Sequence, residues 1–204
     1  MGEQEQQPVL RLASASPRRR QLLELIGVPH VVTPADIDET PRAGEAGVDY
    51  VLRLAREKAA AVRARHSDLP VLAADTTVHV DGHILEKPLD EEDCIRMLSM
   101  LSGRVHQVFT GLCVASSAPP ALTVATSEVT FRRIARGEMQ AYWASGEPRG
   151  KAGAYAIQGF GAVFVQNIAG SYTGVMGLPL FETAEALRRH GIPVWNGALG
   201  GQAE

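Results

Sequence analysis

Apolar residues are nearly continuous from Val9 to Leu12, the chain then turns to small residues, and Leu22, Leu25 and Ile26 recur at helical spacing until Gly27. That pattern predicts a strand, a tight loop and a helix, with Ser16 and Pro17 suited to the cap and first helical position and Gly27 to the stop. Residues 28–32 are β-branched and predict a second strand. Over 48–66 the stripe of Val51, Leu54, Ala55, Ala59 and Val62 predicts a helix, and Lys58 is the charged exception on it. The run Val71-Leu72-Ala73-Ala74 reads as a buried strand with Asp75 at its carboxyl end. Alternating residues on either side of Asp81-Gly82 predict a hairpin. Asp90 and Asp93 resemble a capping box before a helix that Gly103 stops. Residues 105–115 and 122–134 predict two adjacent antiparallel strands joined by a Ser- and Pro-rich loop. A short helix over 138–144, a loop over 146–153, a strand over 162–168, a loop over 171–179 and a helix over 180–191 complete the reading. Residues 1–8 are expected to be a disordered extension and 193–204 a flexible tail.

The chain has 204 residues, 45% of them hydrophobic and 21% charged, so a substantial core is expected. Its formal net charge of −3 argues against the broad basic face of a nucleic-acid coat and directs attention to one local cluster, Arg18-Arg19-Arg20. These arginines sit in the first turn of a helix, where each unanswered cation costs about 0.3–1 kcal/mol. An anion nearby reverses the sign. Free N–H groups, the hydroxyls of Ser14 and Ser16, and guanidinium forks at a helix start together describe a phosphate site.

Other polar positions extend the picture. The prolyl loop 34–41 carries Asp36, Asp38 and Glu39; the first two read as solvated, and Glu39 is the candidate for a divalent cation. Lys58 either runs its ammonium out to the rim or turns it into the same cleft as the arginines. Asp75 cannot lie unpaired in a core without a cost of several kcal/mol, so it faces a cleft, binds a metal or caps an element. Lys87, held extended by Pro88, suits a second phosphate contact. His106 and Thr110 share a strand face, where a hydrogen-bonded structural histidine is the expected role. Gln158 offers a donor and an acceptor to a base edge, and Gly159 and Gly161 mark either a close backbone approach to a ligand or a bulge. The histidines lack zinc-site spacing, Cys94 and Cys113 form no CxxC pair, and neither a signal peptide nor a membrane span is evident. A reducing cytoplasm fits.

Six ordered stretches carry a resemblance: Leu12-Ala13-Ser14-Ala15-Ser16-Pro17-Arg18-Arg19, Arg53-Leu54-Ala55-Arg56-Glu57-Lys58-Ala59, Ala74-Asp75-Thr76, Glu86-Lys87-Pro88, Leu101-Ser102-Gly103 and Tyr155-Ala156-Ile157-Gln158-Gly159. Together they resemble the Maf family of nucleoside triphosphate pyrophosphatases, over about residues 10–190. The resemblance implies a single catalytic domain over 9–192 with an α/β fold: a mixed twisted sheet with flanking helices and two lobes around a central cleft, similar to the inosine triphosphatases. It also implies a homodimer and a house-cleaning reaction that releases pyrophosphate and a monophosphate from a nucleoside triphosphate with Mg²⁺ or Mn²⁺. Asp75 corresponds to the catalytic acid-base or metal-linked carboxylate, and Glu39 to a metal ligand. Ser14, Arg19, Lys58 and Lys87 correspond to phosphate ligands. Arg18, Thr76 and Gln158 match the branch acting on dTTP and UTP, whereas the 7-methyl-GTP branch has tryptophan, glutamine and glutamate there. Ala15, where glycine is common, and the additional Arg20 are departures. A non-catalytic nucleotide-binding regulator of cell division is the rival reading; it would need the arginines without Asp75 and Glu39.

Overall fold

The structure, a computed structural model, describes residues 7–195. Seven strands form one mixed sheet: β1 (Leu10–Leu12), β2 (His30–Val32), β3 (Val71–Val80), β4 (His83–Leu85), β5 (Val105–Ala115), β6 (Ala121–Phe131) and β7 (Val165–Ala169). Their order is β2-β1-β3-β5-β6-β7, and β4 pairs with the far end of β3. The β1 strand runs parallel to β2 and β3, and the remaining pairs are antiparallel. Six helices flank the sheet: α1 (Pro17–Leu25), α2 (Gly47–Arg65), α3 (Glu91–Leu101), α4 (Arg136–Ala144), α5 (Tyr172–Met176) and α6 (Leu180–Arg189).

Because side chains alternate along a strand, the two faces of β3 and β5 have separate duties. On one face Val71, Ala73 and Cys113 pack under Ala55, Ala59 and Val62 of α2. The helix comes so close that a Cβ on Gly111 would overlap the Val51 carbonyl. On the other face, Leu72, Ala74, Leu112 and Val114 build a core with Leu22 and Leu23 of α1 and Leu187 of α6. Farther along that face, Val78, Val80 and Val108 build another core with Leu98 and Leu101 of α3 and Met139 of α4. Thr76 and Thr110 are register partners at the step between the two. Two apolar lobes thus share one sheet, and a polar seam divides them.

Several elements differ from the sequence expectation. Asp75 lies in the middle of β3 and not at a strand's carboxyl end, because Thr76 to His79 continue the ladder with β5. The strand expected over 162–168 begins as a 3-10 helix, Phe160–Phe164, followed by β7. Just ahead of the expected strand, the amides of Phe160 and Gly161 bond the carboxylate of Glu147, which starts the turn there. The loop expected over 171–179 holds α5, whose cap Ser171 accepts a hydrogen bond from the Gly174 N–H. Strand β6 stops at Phe131, where the Arg132 amide turns to the Phe164 carbonyl. Of the expected tail, Val194 is buried and the Trp195 amide bonds the Ile26 carbonyl; residues 196–204 and 1–6 lie outside the described residues.

His106 has the structural role expected of it. Its Nε2 is 2.9 Å from the Tyr155 hydroxyl, its ring meets Phe131 edge-on, and its Nδ1 has no partner. Burial pushes its pKa down to about 4.

Two measurements follow from this packing. Replacing Gly111 by alanine is expected to push α2 off β5 and cost about 1–3 kcal/mol in denaturant unfolding. For His106, the unfolded chain binds the proton more readily between pH 6.5 and about 4, so its contribution is complete above 6.5 and disappears as pH falls through that window. The loss amounts to about 3 kcal/mol, and His106→Phe should flatten this part of the stability-pH profile relative to the native chain.

Candidate functional site

The cleft, with a volume of ≈ 800 Å³, opens over the polar seam between the lobes. The β1–α1 loop, the first turn of α1, β3, α2, the loop after β2, the Lys87 segment and the segment around Gln158 all contribute to its wall. Residues that the sequence separates by more than 140 positions therefore face one volume. Ser14, Arg18, Arg19, Glu39, Lys58, Asp75, Thr76, Lys87 and Gln158 all line it.

At its centre is a lysine between two carboxylates. The Lys58 ammonium lies 2.6 Å from Asp75 Oδ1 and 2.7 Å from Glu39 Oε1. Lys58 and Asp75 are both buried, at 6% and 7% exposure, so Lys58 does not reach the rim. A stem lying on the α2 stripe directs the charge inward because Asp75 waits on the facing strand. Lys87, mostly exposed, approaches the other Glu39 oxygen at 3.7 Å. Burial by itself would raise the Glu39 pKa. The hydrogen bond and charge of Lys58, with the charges of Lys87 and Arg19, outweigh it and hold the carboxyl below its ordinary value.

The arginines of α1 divide. Arg19 donates to the Gly177 carbonyl at 2.8 Å and to Ser14 Oγ and Thr76 Oγ1, each at 3.2 Å, which locks its fork across the seam. Arg18 donates to the Met176 carbonyl at 3.2 Å. Arg20 turns away and pairs with Glu24 one helical turn on. Burial lowers the pKa of both Arg18 and Arg19; the charge of Arg19 adds to this at Arg18, while Asp75 and Glu39 oppose it at Arg19. Thr76 and Thr110 hydroxyls are 2.9 Å apart, and Thr110 donates to the Gly174 carbonyl, so α5 is tied to the cleft floor.

Some contributors were not apparent from sequence. Tyr50 of α2 donates to the backbone carbonyl of Glu39 at 2.9 Å. Arg53, one turn on, reaches the Thr40 carbonyl and clasps Glu45 through Nε at 2.5 Å and Nη2 at 2.7 Å. Hydrogen bonding to that guanidinium takes the Glu45 pKa down to about 2. These two side chains fix the loop that carries Glu39. Arg53 stands in one of the stretches that carry the resemblance, without a role being read for it, and it also meets Glu57 at 3.2 Å one turn on. Lys151 also faces the cleft, where burial and the charge of Arg18 lower its pKa. Asp36 and Asp38 are exposed, as expected.

Residues 9–190 match the family model described as Maf-like protein. A relative from Bordetella parapertussis, named dTTP/UTP pyrophosphatase, is 53% identical over 196 residues covering 92% of this chain and 95% of its own. A second with the same name, from Myxococcus xanthus, is 53% identical over 188 residues with the same coverage. The chain belongs to the Maf family. The solved Staphylococcus aureus Ham1 protein gives a TM-score of 0.48 at 15% identity, covering 90% of this chain and 93% of that one; the assignment rests on the family match and not on this likeness.

In this Maf chain no group of three or more His, Cys, Asp or Glu side chains placed to hold a metal occurs among the described residues. Glu39 and Asp75 nonetheless converge on a single point, now held by Lys58. Two carboxylates are a donor pair that a hard divalent cation would accept. The remaining Maf cleft is cationic: Arg18, Arg19 and Lys151 face it together, so an electron-rich ligand relieves their mutual repulsion.

Removing the central cation tests this arrangement. Lys58→Met is expected to cost about 3 kcal/mol at pH 8, because it leaves the buried Asp75 beside Glu39 without its hydrogen-bonded counter-charge. Adding Asp75→Asn in the same chain should recover most of that loss in thermal or denaturant unfolding.

Proposed function

We propose that this chain hydrolyses dTTP and UTP to the monophosphate and pyrophosphate. The observation that carries the reading is the convergence of Arg19, Lys58 and Lys87 with Asp75 and Glu39 in one cleft. The printed names of relatives about half identical over nine-tenths of the chain support it.

In this mechanism a water oxygen forms a bond to the α-phosphorus while the bond to the α,β-bridging oxygen breaks, and pyrophosphate departs with that electron pair. Asp75 takes the water's proton. Its Oδ1 is engaged by Lys58, so Oδ2 is assigned as the base. Charge growing on the leaving group is met by Arg19, Lys58 and Lys87, held in place before the substrate arrives. The Ser14 hydroxyl, which accepts from both Arg19 and the Ser16 N–H, completes the phosphate cradle at the start of α1. Glu39 and Asp75 are proposed to hold Mg²⁺ or Mn²⁺, which when bound supplies charge stabilisation to the phosphate oxygens. Arg18, Thr76 and Gln158 are proposed to select the base. The same reading expects a cytoplasmic homodimer, and among the described residues no helix is long and apolar enough to cross a membrane.

Incubation with a panel of nucleoside triphosphates and Mg²⁺ or Mn²⁺, followed by product analysis, tests the reaction. Pyrophosphate with monophosphate is expected. Orthophosphate with diphosphate would overturn the cleavage position, and tight binding without turnover would favour a regulator. Asp75→Asn is expected to remain folded and to lose at least about 10²–10³ in kcat; activity within a few fold of the native chain would remove Asp75 from its assigned role.

A further inference from the structure

Glu147 lies in the loop after α4 and is absent from every chemical step above. Its carboxylate nevertheless accepts three hydrogen bonds: from the Tyr142 hydroxyl at 2.6 Å, the Phe160 N–H at 2.9 Å and the Gly161 N–H at 3.0 Å. The Tyr142 oxygen in turn accepts from the Ala156 N–H at 3.1 Å. One tyrosine-carboxylate pair therefore grips the backbone both before and after Gln158. The glycines of this segment are shaped to the same pair. A Cβ on Gly159 would overlap the Glu147 carboxylate, and one on Gly161 would come within 2.7 Å of the Tyr142 hydroxyl. The close backbone approach that these glycines permit is to an internal side chain and not to a ligand.

We infer that Glu147, through Tyr142, is a positioning residue for base selection: it holds the backbone that presents Gln158 to the cleft. This rests on the proposed role of Gln158. The chemical reason is the symmetry of a primary amide. Uracil and thymine present an N3–H donor beside an O4 acceptor, and cytosine presents the reverse. A carboxamide that can turn over satisfies either edge, so discrimination requires the amide to arrive at a set height and turn. Gln158 is itself exposed at the cleft wall, and its neighbours Ala156 and Ile157 are buried. Positional control therefore comes from the backbone. Burial would raise the Glu147 pKa, but the Tyr142 hydroxyl and the two amides more than offset this, so the acceptor form is the favoured one.

The test compares kcat and KM for UTP and CTP in the native chain and in Glu147→Ala, Glu147→Gln, Tyr142→Phe and Gln158→Ala. Glu147→Ala is expected to lower the UTP-over-CTP ratio of kcat/KM by about 10-fold, mainly through the KM for UTP, with kcat within about 3-fold. Glu147→Gln keeps one acceptor oxygen and should fall between. Tyr142→Phe should move the ratio in the same direction, and it stands in should Glu147→Ala fail to fold. In a Gln158→Ala background Glu147→Gln should add no further loss of selectivity. An unchanged ratio in the folded variants, an equal decline for both substrates, or a loss that simply adds to that of Gln158→Ala overturns the inference while leaving the pyrophosphatase reading intact. Absence of pyrophosphate from every triphosphate with the native chain would instead overturn that reading, and this inference with it.

Discussion

The contact on which the site depends is the buried ammonium of Lys58 between Asp75 and Glu39. Asp75 lies mid-strand with α2 packed over it, where an isolated carboxylate would be costly. Lys58 rises from that helix to meet it. The pair is an ion bridge between the sheet and its covering helix, and it has one exposed side, toward the cleft and the Glu39 loop. A structural ion pair open to a cleft can exchange partners, and a bound phosphate or cation competes for the same charges. Ordinary packing has therefore placed mutually compensating groups where a polyanion can rearrange them.

The sheet explains why a cleft exists there. Strands β3 and β5 run through two apolar cores, and between those cores that face turns polar at Thr76 and Thr110. Hydrophobic contact draws α1 and α6 onto one end and α3 and α4 onto the other, and Met176 of α5 touches both cores beside the step. Arg19 spans the step by bonding Ser14, Thr76 and the Gly177 carbonyl, so the floor is tied from both lobes without being filled.

Away from the floor, the site's loops are held by side chains that do not themselves need to meet a ligand. Tyr50 and Arg53 bond the backbone at Glu39 and Thr40, and Tyr142 and Glu147 bond the backbone at Ala156, Phe160 and Gly161. In both cases a side chain takes up backbone groups that would otherwise be left to solvent in an irregular segment. Rigidity without regular secondary structure is the result. This is the condition for a polar group on a loop to read a ligand's edge.

Much of this architecture was legible in the chain. Apolar periodicity located α1, α2, α3 and α6, and the Asp-Gly turn located the β3–β4 hairpin, because these signals arise from local sterics and from one buried face. The arginines after Ser14-Ala15-Ser16-Pro17 pointed to an anion site because a helix start with unanswered cations is unfavourable by itself. What sequence could not decide was direction. The stem of Lys58 permits either rim or interior, and only the location of Asp75 on the facing strand selects the interior. Gly159 and Gly161 fitted either a ligand or a bulge, and only the fold brings Glu147 against them. Three adjacent arginines looked alike until packing turned Arg18 and Arg19 to the carbonyls before Leu178 and sent Arg20 out to Glu24. Local order is set by neighbours along the chain, whereas the partner of a buried charge lies elsewhere on it and is chosen only when the sheet closes.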